Sequence, residues 1–164
     1  MKIYLASPLG FSEAGRFFYQ REFVPKVRAS GFSVLDPWAL TPTSETGPVE
    51  QMPYGPAKRE AWRALNEKIA ARNRTALDEC DAVVAVLDGV DVDSGTAAEI
   101  GYAFAKGKPI LGYRGDFRLS ADNDGATVNL QVEYFIRQSG GDIITTIAEL
   151  PGALEKLKAA IGKR

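Results

Sequence analysis

Short apolar runs alternate along this sequence with longer segments in which apolar residues recur at helical spacing. The short runs predict five strands, at residues 2–6, 32–35, 82–87, 109–112 and 143–146. The longer segments predict one helical stretch that ends near residue 30 and further helices at residues 57–79, 96–106, 128–138 and 150–161. Because residues 82–87 are apolar throughout, helices should cover both faces of the strand that they form.

This alternation predicts an α/β fold, with a single domain over residues 1–164. The expected architecture is a doubly wound, flavodoxin- or Rossmann-like sheet of five mostly parallel strands with helices on both faces. Ligands bind such sheets outside the carboxyl ends of the strands, so the loops after Ala6, Leu35 and Leu87 should form the site. Residues 36–56 are rich in proline, and we expect a long irregular loop there that folds over the site.

Composition limits the chemistry that this chain can perform. Its 164 residues include no histidine and a single cysteine, Cys80. These counts exclude a histidine base, a histidine-ligated metal, an internal disulfide and a cysteine-ligated zinc. We therefore expect chemistry by carboxylates, hydroxyls, amides, phenols or cations, with no metal or cofactor. The 20 Lys and Arg balance 21 Asp and Glu, a net charge of -1 that argues against a nucleic-acid partner.

The apolar segments are also short. The longest uninterrupted apolar run has six residues, far fewer than the ~20 that span a bilayer. The first strand is followed too soon by Ser7 and Pro8 to form the apolar core of a signal peptide. From these features we expect a soluble cytoplasmic protein without a membrane partner.

The acidic turn after the third predicted strand carries the strongest candidates for chemistry. Asp88, Asp93 and Glu99 lie in or just after this turn, and Gly95 would let a ligand or another backbone approach closely. The alternative is helix capping, because residues 96–99 fit the capping-box pattern and Asp93 could be a plain N-cap. The local pattern leaves both interpretations open.

Other candidates lie in the first loop, on the first strand and at a helix start. Ser7 offers a hydroxyl and Gly10 a flexible backbone, while Phe11 could stack on a planar ligand or pack under the long loop. Tyr4 is either a core tyrosine or a donor to a carboxylate at the end of its strand. Asn129 either starts a helix or supplies an amide for sugar hydroxyls.

Five segments of the chain form a recognisable pattern: residues 3–8 (IYLASP), 80–89 (CDAVVAVLDG), 93–103 (DSGTAAEIGYA), 107–110 (GKPI) and 128–129 (VN). Together they resemble the nucleoside 2-deoxyribosyltransferase family over most of residues 2–135. The element Asp-x-Gly-x-x-x-Glu-x-Gly-Tyr-Ala is the most specific part of this resemblance. It implies transfer of 2-deoxyribose between purine or pyrimidine bases, by a retaining double displacement through a covalent glutamyl intermediate.

The same resemblance implies roles for individual residues. Glu99 would be the nucleophile, Asp93 the acid near the departing base, and Tyr4 the residue that orients Glu99 through its phenol. Asn129 would reach the sugar from a neighbouring subunit, and Phe11 would lie near the base. The implied assembly is a homo-oligomer with shared active sites, based on a dimer and extending to a tetramer or hexamer. Its small-molecule partners are a 2′-deoxyribonucleoside donor and a free nucleobase acceptor.

The chain departs from the family pattern in two places. Many members carry an aspartate where this sequence has Asn73, and because an amide cannot act as an acid, protonation of the base would fall to Asp93. The last residues, 161–164, do not resemble the tails that complete the site in some members. The substrate-binding candidates are then Ser7, Gly10, Phe11, Asn73, Asp88, Gly95 and Asn129.

Three alternative functions would use the same region. An N-glycosidase acting on nucleosides or deoxynucleoside 5′-monophosphates would use water as the acceptor, with Ser7, Ser94 and Arg16 available for a phosphate. Phosphoribohydrolases carry a Gly-Gly-x-Gly-Thr-x-x-Glu element, of which residues 95–99 match the end. A nucleotide-sensing module without turnover would need Glu99 only as a helix cap.

Overall fold

A computed structural model describes residues 1–162 and contains five strands. They are β1 (Lys2–Ala6), β2 (Ser33–Leu35), β3 (Ala82–Val86), β4 (Ile110–Tyr113) and β5 (Ile143–Ile144). The α-helices are α1 (Glu13–Phe18), α2 (Val24–Ala29), α3 (Pro37–Leu40), α4 (Thr43–Gln51), α5 (Pro56–Glu79), α6 (Ser94–Ala105), α7 (Leu130–Gln138) and α8 (Leu150–Ile161). Lys163 and Arg164, at the end of the tail that departs from the family pattern, lie outside the described residues.

The five strands form one parallel sheet in the order β2-β1-β3-β4-β5. Tyr4 on β1 pairs with Leu35 of β2 on one side and with Val83 of β3 on the other. The chain thus winds in one direction from β1 to β2 and in the other from β3 to β5. This confirms the predicted α/β architecture, and it places the topological switch point, where such sheets bind ligands, between β1 and β3.

Helices cover both faces of the sheet, because successive side chains of a strand point in opposite directions. Ile3 and Leu5 of β1 belong to a buried core that also contains residues of α2 and α8. Tyr4 and Ala6 belong to the core on the other face, with residues of α5, α6 and α7. The site-facing helix α6 is therefore held against the same face of β1 that carries Tyr4.

The first helical stretch is not the regular helix that the sequence predicts. A 3-10 turn spans Pro8–Phe11, and a π turn spans Tyr19–Phe23 between α1 and α2. The N–H of Val24 bonds to the carbonyl of Tyr19, five residues back. Pro25 follows directly and has no N–H to donate, so the usual hydrogen-bond ladder is interrupted here. As predicted, the stretch ends at Gly31, whose φ of 83° suits glycine.

The prediction of an irregular loop over residues 36–56 is wrong, because that segment contains the helices α3 and α4, here called the cover helices. Proline often breaks a helix, and Pro48 does lie inside α4, but Pro37 and Pro56 stand in the first turn of α3 and α5. At that position the missing N–H has no intrahelical partner to lose. Asp36 caps α3 by accepting a hydrogen bond of 3.0 Å from the N–H of Trp38.

Polar contacts hold the cover helices to the long helix α5. The guanidinium of Arg72 binds both carboxylate oxygens of Glu45, at 2.8 and 3.0 Å, and donates to the hydroxyl of Thr41 at 3.3 Å. The Nζ of Lys58 donates to the backbone carbonyls of Glu50 and Met52, at 2.6 and 3.0 Å. These contacts connect both ends of α4 to a rigid element.

The remaining element bounds differ from the predicted ones by a few residues. β5 has two residues instead of four, because the N–H groups of Thr145 and Thr146 bond to the carboxylate of Glu149 and not to a neighbouring strand. Helix α6 begins at Ser94, two residues before its predicted start. Within residues 1–162, no helix combines the length and the apolar character needed to cross a bilayer.

We predict that Glu45→Ala loosens the cover helices without unfolding the protein. The Arg72–Glu45 pair is about one-third exposed, so its loss should lower the free energy of unfolding by no more than about 1 kcal/mol. Amide hydrogen exchange over residues 43–51, followed by mass spectrometry, should nevertheless accelerate by about fivefold. The matched control is Glu60→Ala, which removes the far more exposed Arg63–Glu60 pair within α5. Equal exchange in the two variants would contradict the anchoring role of Arg72.

Candidate active site

A cleft of about 890 Å³ opens at the carboxyl ends of β1, β2 and β3, beneath the cover helices. Of the residues predicted for the site, seven line it: Ser7, Gly10, Phe11, Asn73, Asp93, Gly95 and Glu99. Tyr4 lies below the cleft on β1 and is fully buried. The three loops that the fold class singles out therefore do meet, and the cleft is the place where their side chains can act on one ligand.

Helix α6 brings the two central carboxyl groups to the cleft. Asp93 is its N-cap, and the Oδ2 of Asp93 accepts hydrogen bonds from the N–H and the hydroxyl of Thr96, at 3.0 and 3.3 Å. The plain N-cap interpretation of Asp93 is thus correct. The capping-box interpretation of residues 96–99 is wrong, because Thr96 is already inside the helix and Glu99 lies in its second turn.

The carboxylate of Glu99 accepts a hydrogen bond from a tyrosine and not from the backbone N–H groups at the start of α6. The hydroxyl of Tyr4 donates to Oε1 of Glu99 at 2.5 Å. Tyr4 and Glu99 are 95 residues apart in sequence, and their bond connects β1 to α6. Since this bond engages Oε1 alone, Oε2 stays available to a ligand in the cleft. Glu99 therefore has no capping role in α6.

Burial controls the protonation of this pair. Burial raises the pKa of Glu99 to about 7, the hydrogen bond from Tyr4 opposes that rise, and the negative charge of Asp93 adds to it. Burial also raises the pKa of Tyr4 far above its usual value, and the charge of Glu99 raises it further. Tyr4 therefore stays a neutral donor at every physiological pH, while Glu99 changes charge close to neutrality.

Asn73 projects from α5 into the wall of the cleft. Its Oδ1 is buried and accepts no hydrogen bond from any group in residues 1–162. A buried acceptor without a donor is unfavourable, and in a cleft wall a ligand can supply the missing donor. Phe11 also lies on the cleft and is 75% exposed, although its ring contacts Trp38 of the neighbouring segment.

Two of the predicted residues do not reach the cleft of their own chain. The Oδ1 of Asp88 accepts a hydrogen bond of 2.9 Å from the N–H of Asp116, which turns Asp88 toward the loop after β4. The Oδ1 of Asn129 caps α7 through the N–H groups of Gln131 and Val132, at 3.0 and 3.4 Å. The structure therefore supports the helix-start interpretation of Asn129 within one chain, and its contribution to a neighbouring subunit stays a prediction.

Sequence reasoning missed a second phenol–carboxylate pair at the cleft. The hydroxyl of Tyr19 donates to Oδ1 of Asp36 at 2.9 Å, and both residues line the cleft. Burial raises the pKa of Tyr19 strongly, and the charge of Asp36 raises it further. Tyr19 lies at the start of the π turn. Pro25 is the only local sign of that turn in the sequence, and it does not indicate the direction of a side chain six residues before it.

Sequence reasoning also missed the place of Trp38. Its indole N–H donates to the carbonyl of Ser7 at 3.0 Å, and its ring covers Gly10 so closely that a Cβ at residue 10 would overlap it. The ring of Phe11 stands perpendicular to it, with centroids 4.8 Å apart. Gly10, in the loop after β1, is the one signal for this contact in the sequence. A glycine allows a close approach, but it does not indicate which residue approaches.

The cleft has an excess of acidic groups. Four carboxyl-bearing residues line it, and Arg16 is the single basic residue among the described residues that do so; the acidic residues are Asp36, Glu50, Asp93 and Glu99. This balance suits an uncharged ligand better than an anionic one. Within residues 1–162, no three Asp, Glu or Cys side chains are grouped so that they could hold a metal ion.

Several solved structures share this fold. A conserved protein from Enterococcus faecalis V583 has a TM-score of 0.69 at 24% identity, over 95% of this chain and 98% of that one. The 2-deoxyribosyltransferase of Bacillus psychrosaccharolyticus has a TM-score of 0.63 at 21% identity, over 92% and 90%. The CMP N-glycosidase BcmB of Clostridium botulinum has a TM-score of 0.51 at 19% identity, over 94% and 98%. At these identities the likeness is one of fold alone.

Comparison of amino-acid sequences gives more specific matches than comparison of folds. An uncharacterized protein of Schizosaccharomyces pombe is 35% identical over 81 residues, which are 47% of this chain. The chain spans about a third of the length of this curated relative. A family model described as nucleoside 2-deoxyribosyltransferase matches residues 3–131, which include Tyr4, Asp93 and Glu99. Because this match covers most of the chain, the protein belongs to the nucleoside 2-deoxyribosyltransferase family.

Proposed function

We propose that this protein transfers 2-deoxyribose from a 2′-deoxyribonucleoside to a free nucleobase. The observation that carries the proposal is the buried Tyr4–Glu99 pair, which faces the same cleft as Asp93. Retaining glycosyl transfer needs a carboxylate nucleophile and a second group that moves the proton of the base. The membership of the chain in the family supports this assignment of the two carboxyl groups.

In the first half-reaction, Oε2 of Glu99 attacks the anomeric carbon of the bound nucleoside. The bond between that carbon and the base nitrogen breaks, and a 2-deoxyribosyl ester of Glu99 forms. Asp93 donates a proton to the departing base through Oδ1, since Thr96 engages Oδ2. Tyr4 holds Oε1 and so fixes the direction from which Oε2 approaches the sugar.

In the second half-reaction, another base enters and loses its N–H proton to Asp93. Its nitrogen attacks the anomeric carbon, the ester bond breaks, and Glu99 is released as a carboxylate. Two displacements on the same carbon retain the configuration of the starting nucleoside. The cover helices limit access of water to the ester, which favours a base over water as the acceptor.

Asn73 has a binding role in this scheme and no role as an acid. Its amide cannot release a proton at physiological pH, so Asp93 alone moves the proton of the base. The unsatisfied Oδ1 of Asn73 accepts an N–H from the bound base instead. The proposed assembly is a homo-oligomer in which Asn129 of one subunit completes the site of another, and the proposed location is the cytoplasm.

The second candidate is N-glycoside hydrolysis, including that of deoxynucleoside 5′-monophosphates. Ser7 and Arg16 favour it, because both line the cleft and could bind a phosphate. The excess of carboxyl groups around Arg16 opposes it, since each would repel the phosphate. Of the two, an uncharged nucleoside fits the cleft better.

The proposal predicts that transfer depends on an acceptor base. Incubation with 2′-deoxyadenosine and cytosine should give 2′-deoxycytidine and adenine, as separated by chromatography. Free 2-deoxyribose formed at one rate with and without cytosine would instead identify a hydrolase, and a parallel incubation with 2′-deoxyadenosine 5′-monophosphate tests the phosphorylated donor. Glu99→Ala should lower turnover by at least about a thousandfold. Glu67→Gln, on the exposed side of α5, is the matched control and should retain full activity.

The pKa of Glu99 predicts an acid limb in the pH profile. Because only the carboxylate attacks the sugar, the acid limb of kcat/KM should have its midpoint near pH 7. Tyr4→Phe removes the hydrogen bond that lowers this pKa, so its acid limb should move to higher pH. The control Tyr102→Phe removes a phenol of the same kind, which bonds to Asp78 on the surface, and should leave the limb in place. An acid limb that does not move in Tyr4→Phe would contradict the role given to Tyr4.

The same pKa predicts that Glu99→Gln stabilises the fold at alkaline pH. The pKa of Glu99 lies near 4.5 in the unfolded chain and near 7 in the folded one, so folding binds a proton between these values. Stability of the wild type should fall as pH rises through this window, and the neutral glutamine removes that loss. Thermal unfolding should show a gain of up to about 3 kcal/mol for the variant at pH 8 and little gain at pH 5. An equal effect at both pH values would contradict the raised pKa.

A further inference from the structure

We infer that Trp38 is the stacking platform for the nucleobase, and that Asp36 and Tyr19 are positioning residues which hold this platform without touching the base. The inference rests on the proposed function for the identity of the ligand. It goes beyond that function because it assigns the affinity for the base to three residues other than Tyr4, Asp93 and Glu99.

The first step is that Trp38 is fixed in one orientation. Its backbone N–H bonds to Asp36 at 3.0 Å and its indole N–H bonds to the carbonyl of Ser7 at 3.0 Å. The ring lies over Gly10, where any larger residue would displace it. The bond to Asp36 is the N-cap bond that begins α3, and the bond to Ser7 fixes the ring itself.

The second step is that the fixed ring remains open to the cleft. Trp38 is 42% exposed and lines the cleft together with Phe11, which is 75% exposed. An aromatic surface of this kind binds planar rings, because stacking removes apolar area from water and every nucleobase has a π face. Glu99 and Asp93 line the same cleft, so a base that stacks on Trp38 enters the cavity that also holds both carboxyl groups.

The third step concerns Asp36, which joins Trp38 to the buried interior. Its Oδ1 accepts two hydrogen bonds, from the hydroxyl of Tyr19 at 2.9 Å and from the N–H of Trp38 at 3.0 Å. Tyr19 is 2% exposed and stacks on Phe23 in the core, with ring centroids 6.2 Å apart. The start of α3, and with it the backbone of Trp38, is therefore tied to a buried phenol through one carboxylate oxygen, and a charged acceptor makes both bonds strong.

The ligand contact is tested by fluorescence and equilibrium dialysis. The chain has two tryptophans, and Trp62 also lines the cleft. In the Trp62→Phe background Trp38 is the sole indole reporter, and the adenine dissociation constant of that background is compared with that of the wild type. Adenine should quench its fluorescence and 2-deoxyribose should not. In equilibrium dialysis, Trp38→Leu should weaken adenine binding by roughly five- to a hundredfold. Phe17→Leu, an exposed aromatic residue on α1 that does not line the cleft, is the matched control and should bind adenine like the wild type.

The positioning role is tested by a double-mutant cycle. Asp36→Ala should weaken adenine binding in the wild type and change it less than about twofold in the Trp38→Leu background. Tyr19→Phe removes one hydroxyl from the interior, keeps the ring in the core, and should weaken binding by about threefold. Circular dichroism confirms that each variant is folded. An Asp36 effect that persists at full size without Trp38 would show direct contact with the base and overturn the positioning role.

The outcomes also separate this inference from the proposed function. If adenine binds and quenches Trp38 but no transfer occurs, the transferase proposal fails and the platform stands. If transfer occurs but Trp38→Leu leaves both the adenine dissociation constant and the KM for the acceptor base unchanged, the platform is wrong and the transferase stands. A KM that rises in Trp38→Leu with kcat nearly unchanged supports a binding role over a catalytic one.

Discussion

Burying a carboxyl group is unfavourable unless a donor meets it, and in this protein Tyr4 meets Glu99. The rest of the site depends on that bond. It requires a strand whose side chains alternate between two cores, so that Tyr4 faces α6, and a helix that begins early enough to place Glu99 in its second turn. The sheet holds the donor and the helix holds the acceptor, so neither can move away independently.

Burial of the same carboxyl group explains how a chain without histidine can have a group that titrates near neutral pH. Burial raises the pKa of Glu99 and the phenol limits that rise, so the carboxyl group reaches about 7 without a neighbouring imidazole. Asp93 differs in environment although it lies on the same helix, because as N-cap it is held by the hydroxyl and N–H of Thr96. Two carboxyl groups in unlike surroundings can take unlike roles.

The cover helices and the aromatic wall form a second layer around this centre. The ion pair between Arg72 and Glu45 fixes α4 to α5, and the bonds of Trp38 to Ser7 and Asp36 fix α3 to the ends of β1 and β2. These contacts are made by residues close to the cleft but far from one another in sequence. The cover helices and the aromatic wall thus hold one side of the cleft in place.

Much of this organisation could be predicted from the sequence. The apolar runs determined the five strands, and the acidic turn before α6 indicated Asp93 and Glu99, because periodicity and helix-start chemistry are local properties. The spacing of residues 96–99 leaves the capping box open as an interpretation, because local spacing cannot show that a buried phenol on β1 bonds to the same carboxylate. Proline content predicts an irregular loop over residues 36–56, because it does not distinguish a proline that breaks a helix from one in a first helical turn, or from Pro48 inside α4.

Only the tertiary structure decided which polar groups share the cleft. It turned Asp88 to the N–H of Asp116 and Asn129 to its own helix start, and it brought Asp36, Tyr19 and Trp38 inward. No pattern along the chain predicts these outcomes, because each depends on a contact between segments that are remote in sequence. The sequence by itself determined the elements and the type of chemistry. The packing of those elements decided which polar groups bond to each other, since each group bonds to whatever donor or acceptor lies near it in space.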